Sequence, residues 1–266
     1  MGRLWLARGV RVNSGEAMFT PEYRNALRSA LLEFAANDPR VSGAAITGSA
    51  AEDREDEWSD IDLAFGVRGA AELPSVLGAF TKSMYDRHSA VHHYDIAFGA
   101  WTYRVFFLPG TLQVDLAFAP ASDFRPMAQT FRLVFGEAQE AAQFPDAAPR
   151  DVIAFAWLYA LHARSSIHRG KLWQAEHMIS ALRDHVMTLA CLRHGLPAAH
   201  GKGMDLLPHE LRERLSGALI GRLDAEELRS ALNVAVRELV DEIQVANPEL
   251  GTRIRSEMLQ IVAASP

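Results

Sequence analysis

The sequence has few of the features of a secreted, membrane-spanning or nucleic-acid-binding protein. Only one of its 266 residues is a cysteine, Cys191, so no disulfide can form within the chain and a reducing compartment is expected. No apolar run approaches the roughly 20 residues that cross a bilayer as a helix. Basic residues form no Lys/Arg-rich run and the net charge is -6, so a nucleic-acid partner is disfavoured.

The N-terminal stretch also lacks a long apolar segment. Arg3, Arg8 and Arg11 are present, but the apolar segment among them is too short for a signal peptide. We expect residues 1–17 to be a disordered extension and Met18 to be an alternative start. Without a signal peptide or a membrane span, the cytoplasm is the expected location.

The first half of the chain mixes helical and strand patterns. Thr20-Pro21 is typical of a helix start, and apolar residues at helical spacing follow to about Ala36. Residues 41–47 and 61–67 predict buried strands, with a helix after the second. Period-two patterns then predict three more segments of strand, in "HHYDIAFG", "YRVFFLPGTLQVDLAF" and "FRLVFG", with Pro109-Gly110 as a hairpin turn. We therefore predict a small mixed sheet flanked by helices.

The second half predicts helices throughout. A segment rich in Ala, Gln and Pro, "EAQEAAQFPDAAPRD", marks the boundary. Five helical patterns follow, at 151–168, 172–194, 206–215, 224–245 and 250–262. The predicted fold class is α+β, with a mixed-sheet domain at 18–146 and an all-α bundle domain at 147–266.

Two aspartates in "ITGSAAEDREDEWSDIDLAF" predict a metal site. Alternate side chains of a strand share a face, so Asp60 and Asp62 point the same way while Ile61 and Leu63 face a core. A third acidic residue, Asp115, stands among apolar residues in "LQVDLAFA". Asp95 in "HYDIAFG" competes for this third position, but the hairpin turn gives Asp115 the better defined strand.

Three neighbouring carboxylates would suppress one another's ionisation unless a divalent cation compensates them. Oxygen ligands favour hard cations such as Mg²⁺. Gly48-Ser49 lies where the preceding strand ends, and a glycine there allows backbone N–H groups to approach phosphate oxygens. These features together predict a Mg²⁺ site, with two metals bridged by the paired aspartates, that also holds a triphosphate.

The order of these motifs resembles the DNA polymerase β-type nucleotidyltransferase superfamily. An apolar segment ends in Gly48-Ser49, Asp60-Ile61-Asp62-Leu63 follows after about ten residues, and Asp115 lies in a later strand. A compact domain of this kind followed by helices looks like the aminoglycoside and lincosamide (antibiotic) nucleotidyltransferases. The resemblance implies Mg²⁺-dependent transfer of a nucleoside monophosphate, usually AMP from ATP, with release of pyrophosphate.

The resemblance also implies roles for particular residues. Gly48 and Ser49 would contact the triphosphate, Asp60 and Asp62 would bind Mg²⁺, and Asp115 would be the third carboxylate, as ligand or base. In some antibiotic nucleotidyltransferases a helical-domain glutamate is the general base and a nearby lysine meets the phosphates. Glu176 and Lys171 are the candidates for these two roles. Lys202, between two glycines in "HGKGMDLLP", is a further candidate for phosphate contact.

Several alternatives remain open from the sequence. The acceptor is expected to be a small molecule, and a cationic one such as an aminoglycoside would suit the acidic loop between Ser49 and Asp60. A protein acceptor, as in the nucleotidyltransferase antitoxins, and a nucleotide-binding module without catalysis are the competing hypotheses. Related enzymes often build the acceptor site across domains or subunits, so a homodimer is also compatible with the sequence.

Overall fold

The computed structural model describes residues 19–128, 130–141 and 148–263. The chain divides into two compact units, Met1–Phe144 and Pro145–Pro266. The predicted extension at 1–17 and the predicted domain boundary between residues 146 and 147 lie outside the described residues.

The first unit contains one six-stranded mixed sheet. Its strands are β1 (Val41–Thr47), β2 (Ile61–Val67), β3 (His92–Phe98), β4 (Trp101–Phe107), β5 (Gln113–Pro120) and β6 (Phe131–Gly136), in the spatial order β3-β4-β5-β2-β1-β6. β2 and β5 pair in parallel, whereas the other neighbours pair antiparallel. β2 and β5 are therefore interior strands, where one face can be buried under helices while the other carries a site.

Two helices cover one face of this sheet. α1 (Pro21–Ala36) begins where the Thr20 side chain caps it, and α2 is Leu73–His88. Large side chains fill this face, including the mutually packed rings of Phe65, Phe80 and Phe118. The opposite face of the same strands carries small residues near its centre, Ala45, Ala64 and Ala117, with Trp101 and Phe124 beside them.

The second unit consists of helices around one apolar core. They are α3 (Pro149–His168), α4 (Leu172–Arg193), α5 (His209–Ser216), α6 (Ala225–Ala246) and α7 (Pro248–Gln260). The predicted helix at 206–215 begins later than expected, because Met204–Leu206 forms a separate 3₁₀ turn and Pro208 precedes α5. The predicted fold class, a mixed-sheet α+β domain followed by an all-α domain, is confirmed.

Two buried glutamates on α6 are each held by an arginine. Arg214 donates to both carboxylate oxygens of Glu238 at 2.7 and 3.1 Å, and Arg193 donates to both oxygens of Glu242 at 2.7 and 2.9 Å. A planar guanidinium can satisfy both oxygens of a carboxylate in this way. Among the residues described here, none of the helices is long and apolar enough to cross a membrane.

Candidate metal centre

Three aspartates meet on the face of the sheet that α1 and α2 leave open. Asp62 in β2 and Asp115 in β5 are direct partners across the parallel pair, so their side chains leave the sheet on the same side. Asp60 immediately precedes β2. The three half-buried side chains each present a carboxylate oxygen, and these oxygens all lie within 4.8 Å of one another.

The surroundings of Asp115 disfavour a negative charge on its carboxyl group. The pKa of Asp115 is raised to about 6, chiefly because burial disfavours its ionised form, and the nearby Asp60 adds to the effect. A hydrogen bond from Gln113 Nε2 to Asp115 Oδ1, at 3.0 Å, opposes the shift. A nearby cation would reverse this balance by favouring the ionised carboxylates.

The donors fit a divalent cation. Mg²⁺ and Ca²⁺ bind oxygen at roughly 2.0–2.6 Å, so two oxygens on one ion lie at most about 4 to 5 Å apart. The separations among the Asp60, Asp62 and Asp115 oxygens fall within that range. Carboxylates are also the ligand type that these hard cations prefer.

Gly48 lies directly against this cluster. It follows β1 in a left-handed conformation, with φ of 63°, and opens the 3₁₀ turn Gly48–Glu52, which includes Ser49. A Cβ atom at position 48 would stand 2.0 Å from Asp62 Oδ2. Both the backbone angle and the space therefore require glycine, and Gly48 borders Asp62 at the start of this turn.

Asp95, the competing third carboxylate, is held elsewhere. It lies in β3 and accepts two hydrogen bonds from Arg104, each at 2.6 Å. This ion pair lowers the pKa of Asp95, first through the hydrogen bond from Arg104. The structure thus groups Asp115, and not Asp95, with Asp60 and Asp62.

The acidic loop before Asp60 carries less free negative charge than its sequence suggests. Glu55 is paired with Arg24 and Arg28, Asp53 with Arg132, and Glu52 with Arg54. The acidic loop that was expected to suit a cationic acceptor is therefore partly neutralised by arginines. Asp56 and Glu57 remain exposed, and Asp56 uses its carboxylate to accept hydrogen bonds from the Ser59 hydroxyl and the Trp58 backbone.

Arg24 is a contributor to the site that the sequence interpretation missed. Its buried guanidinium donates to the backbone oxygens of Asp56 at 2.5 Å and Ser59 at 2.9 Å, so it fixes the turn that leads into Asp60. A signal was present in the sequence. Arg24 lies three and seven residues before Leu27 and Leu31, which places a charged residue on the apolar face of α1.

The three candidates from the helical half all lie in the second unit. Lys171 is exposed at the N-cap of α4, and Lys202 is exposed after the 3₁₀ turn Ala199–Gly201. Glu176 is half-buried and accepts a hydrogen bond from Ser180 Oγ at 2.8 Å. Their assignment to base catalysis and phosphate contact stays a prediction.

Comparison with known proteins gives matches in structure only. No protein-family model and no curated protein sequence matches the chain. Seventeen solved chains match in fold. One is an aminoglycoside 6-adenyltransferase from Bacillus subtilis, with 12% identity, a TM-score of 0.41, and coverage of 88% of this chain and 96% of that one.

A second match is the polymerase core of TRAMP, an RNA surveillance complex. It shows 13% identity, a TM-score of 0.31, and coverage of 92% of this chain and 82% of that one. The predicted resemblance to aminoglycoside nucleotidyltransferases is therefore also found among solved structures. Because both TM-scores lie below 0.5, neither likeness by itself supports a function for this chain.

Proposed function

We propose that this protein is a nucleotidyltransferase that moves AMP from ATP to a hydroxyl group of a small-molecule acceptor and releases pyrophosphate. The observation that supports this most is the convergence of Asp60, Asp62 and Asp115 on the open face of the sheet, next to the Gly48-Ser49 turn. We place the chemistry in the domain predicted at 18–146, which the domain predicted at 147–266 follows in the chain, and we propose the cytoplasm as the location.

Each residue of the cluster has a defined task in this proposal. Asp60, Asp62 and Asp115 hold Mg²⁺, and Gly48 and Ser49 meet the triphosphate, aided by Lys171 and Lys202. Bound Mg²⁺ supplies neutralisation of phosphate charge and orientation of the reacting groups. Arg24 keeps the turn before Asp60 in place.

The proposed transfer exchanges one phosphorus–oxygen bond of ATP for another. The acceptor hydroxyl oxygen bonds to the α-phosphorus of ATP, and the bond from that phosphorus to the oxygen bridging to the β-phosphate breaks. Pyrophosphate leaves with the electron pair of the broken bond. The hydroxyl proton passes to a carboxylate, for which Asp115 and Glu176 are the two candidates.

An aminoglycoside-like antibiotic is the specific acceptor that we propose, and a role in antibiotic resistance would follow from it. Exposed Asp56 and Glu57 near the aspartate cluster favour a cationic acceptor. The neutralised acids of the same loop make this support weaker than the sequence alone suggested. A homodimer would be compatible with the proposal but is not needed for it.

The test is pyrophosphate release from ATP with Mg²⁺, across a panel of aminoglycosides and lincosamides, with product masses recorded. We expect one acceptor to gain the mass of one AMP group, and release to stop when EDTA removes the metal. Mg²⁺-dependent ATP binding without any product would argue for another metabolite or a protein as acceptor. Absence of metal-dependent nucleotide binding would refute the proposal.

A further inference from the structure

A cationic pocket lies in the helical unit, at the C-terminal end of α3. It consists of two adjoining cavities of about 290 and 360 Å³ that share Arg164 and His168. Arg229 lines the first cavity and Arg169 the second. Apolar side chains form the wall of the first cavity, among them the buried residues Ile167, Leu232 and Ile261.

Over the residues that the structure describes, the arginines of this pocket lack the ion pairs that five of the nine other arginines of the helical unit form. Five arginines of this unit form ion pairs with acids, namely Arg183, Arg193, Arg214, Arg222 and Arg255. Within the described part of the chain, Arg164, Arg169 and Arg229 have no acidic partner. Like charges brought to one cavity without counter-charges repel one another, so the arrangement would be relieved by a bound anion.

Helix dipoles account for only part of this arrangement. His168 and Arg169 lie at the C-terminal end of α3, where the partial negative charge of the helix favours cations. Arg229 lies in the second turn of α6, near the positive end of that helix, where the dipole gives a cation no stabilisation. A ligand is therefore the better explanation for three arginines and a histidine around one pocket.

The lining of the pocket defines the ligand class. Arginine presents a planar fork of donors that matches phosphate oxygens, and a phosphate monoester carries about 1.5 to 2 negative charges near neutral pH. A single carboxylate would offset only one of the cations. The apolar wall and the total volume suit an organic group beside the phosphate.

We propose that this pocket binds an organic phosphate monoester, of the class of a nucleoside monophosphate. The proposal does not depend on the chemistry at the aspartates, because every residue that it invokes belongs to the helical unit. It predicts an anion site that needs no divalent cation. This property separates it from the aspartate cluster, where phosphate would be repelled when the metal is removed.

The test is binding of AMP to the full chain in EDTA, measured by titration calorimetry, with inorganic phosphate as the second probe. We expect AMP to bind more tightly than inorganic phosphate, because the apolar wall contacts only the organic group. The double variant Arg164→Ala with Arg229→Ala should weaken AMP binding at least about tenfold, since each removes a charged hydrogen-bond donor. Arg253→Ala is the matched control, an exposed arginine of α7 outside the pocket lining.

Three results would overturn the proposal. The first is no AMP binding by the unaltered protein in EDTA. The second is equal binding by the double variant and the control, which would place the anion elsewhere. The third is equal affinity for AMP and inorganic phosphate, which would exclude an organic ligand. Thermal unfolding of each variant checks that the fold is kept, and all three arginines are exposed, so their removal leaves the core intact.

Discussion

The molecule holds buried glutamates and half-buried aspartates in two different ways. On α6, Glu238 and Glu242 each receive a two-point hydrogen-bonded arginine from the same unit. On the open face of the sheet, burial and then the nearby Asp60 disfavour ionisation of Asp115, whose pKa is raised to about 6. The glutamates of α6 are thus balanced by arginines of their own unit, whereas the three aspartates of the sheet form a group that could hold a metal ion.

This difference separates structural from functional acids. A buried ion pair with satisfied hydrogen bonds holds helices together and has no reason to bind a ligand. A carboxyl group whose pKa is raised by burial, as at Asp115, instead marks a candidate functional site, because perturbed pKa values gather at such sites. Substitutions in the sheet and in the helical unit test this difference.

The largest expected effect is on turnover. Under the proposed function, Asp60→Asn should lower metal-dependent pyrophosphate release at least about a thousandfold, because it removes a charge that would hold the metal at the reacting phosphates. Its stability without metal should be unchanged or higher, since repulsion with Asp115 is relieved. Asp86→Asn is the control, because Asp86 is exposed in a surface pair with Lys82. Turnover within a few-fold of the unaltered protein would show that Asp60 is not a metal ligand.

The next effect is on stability and belongs to the helical unit. Arg193→Ala should lower the free energy of unfolding by about 2 to 4 kcal/mol, because it leaves Glu242 buried without its counter-charge. Replacing both partners with apolar residues, as Arg193→Met with Glu242→Leu, should recover most of that loss. Urea unfolding measures both variants.

A surface pair provides the matched control for this prediction. Arg255 and Asp241 are both exposed and lie 3.6 Å apart, so Arg255→Ala should cost less than about 1 kcal/mol. Equal losses for Arg193→Ala and Arg255→Ala would mean that the buried pair has no special structural role.

The smallest effect is a pH dependence of the metal-free sheet unit. The pKa of Asp115 is near 6 in the folded chain and about 3.9 when unfolded, so the folded state binds more protons between these values. Stability should therefore fall as pH rises from about 4 to above 6. Asp115→Asn should remove this dependence, worth about 1 to 3 kcal/mol for a half-buried group.

Urea unfolding in EDTA at pH 4.5 and 7.5 measures this difference between the two proteins. Excess Mg²⁺ should restore stability to the unaltered protein at pH 7.5 and leave Asp115→Asn less affected. If the unaltered protein without metal were more stable at pH 7.5 than Asp115→Asn, the raised pKa of Asp115 would be contradicted.

Much of the sheet unit could be predicted from local patterns. Alternation of apolar residues located β2 and β5, and the Pro109-Gly110 turn correctly indicated the antiparallel pair of β4 and β5. The choice of Asp115 over Asp95 followed from the same pattern. These features depend on residues that are close together in the sequence, so local sequence patterns were enough to predict them.

Other features depend on residues far apart in sequence. The parallel pairing of β2 with β5, which sets Asp62 against Asp115, leaves no mark in either strand alone. The pairing of Glu55 with Arg24 and Arg28 brings a loop to a helix, so the loop appeared more acidic than it is. No local pattern fixes the roles of Lys171, Glu176 and Lys202 either, and these remain predictions.

The parallel pairing of β2 with β5 also has a consequence for folding. In the sequence, β3 and β4 lie between β2 and β5. A chain that is being synthesised therefore contains Asp60 and Asp62 well before it contains Asp115. Closing a parallel pair across such an interval is a slow, non-local step. The complete set of aspartates thus arises only when the sheet is assembled, and a divalent cation that needs all three would select the finished fold and draw late intermediates toward it.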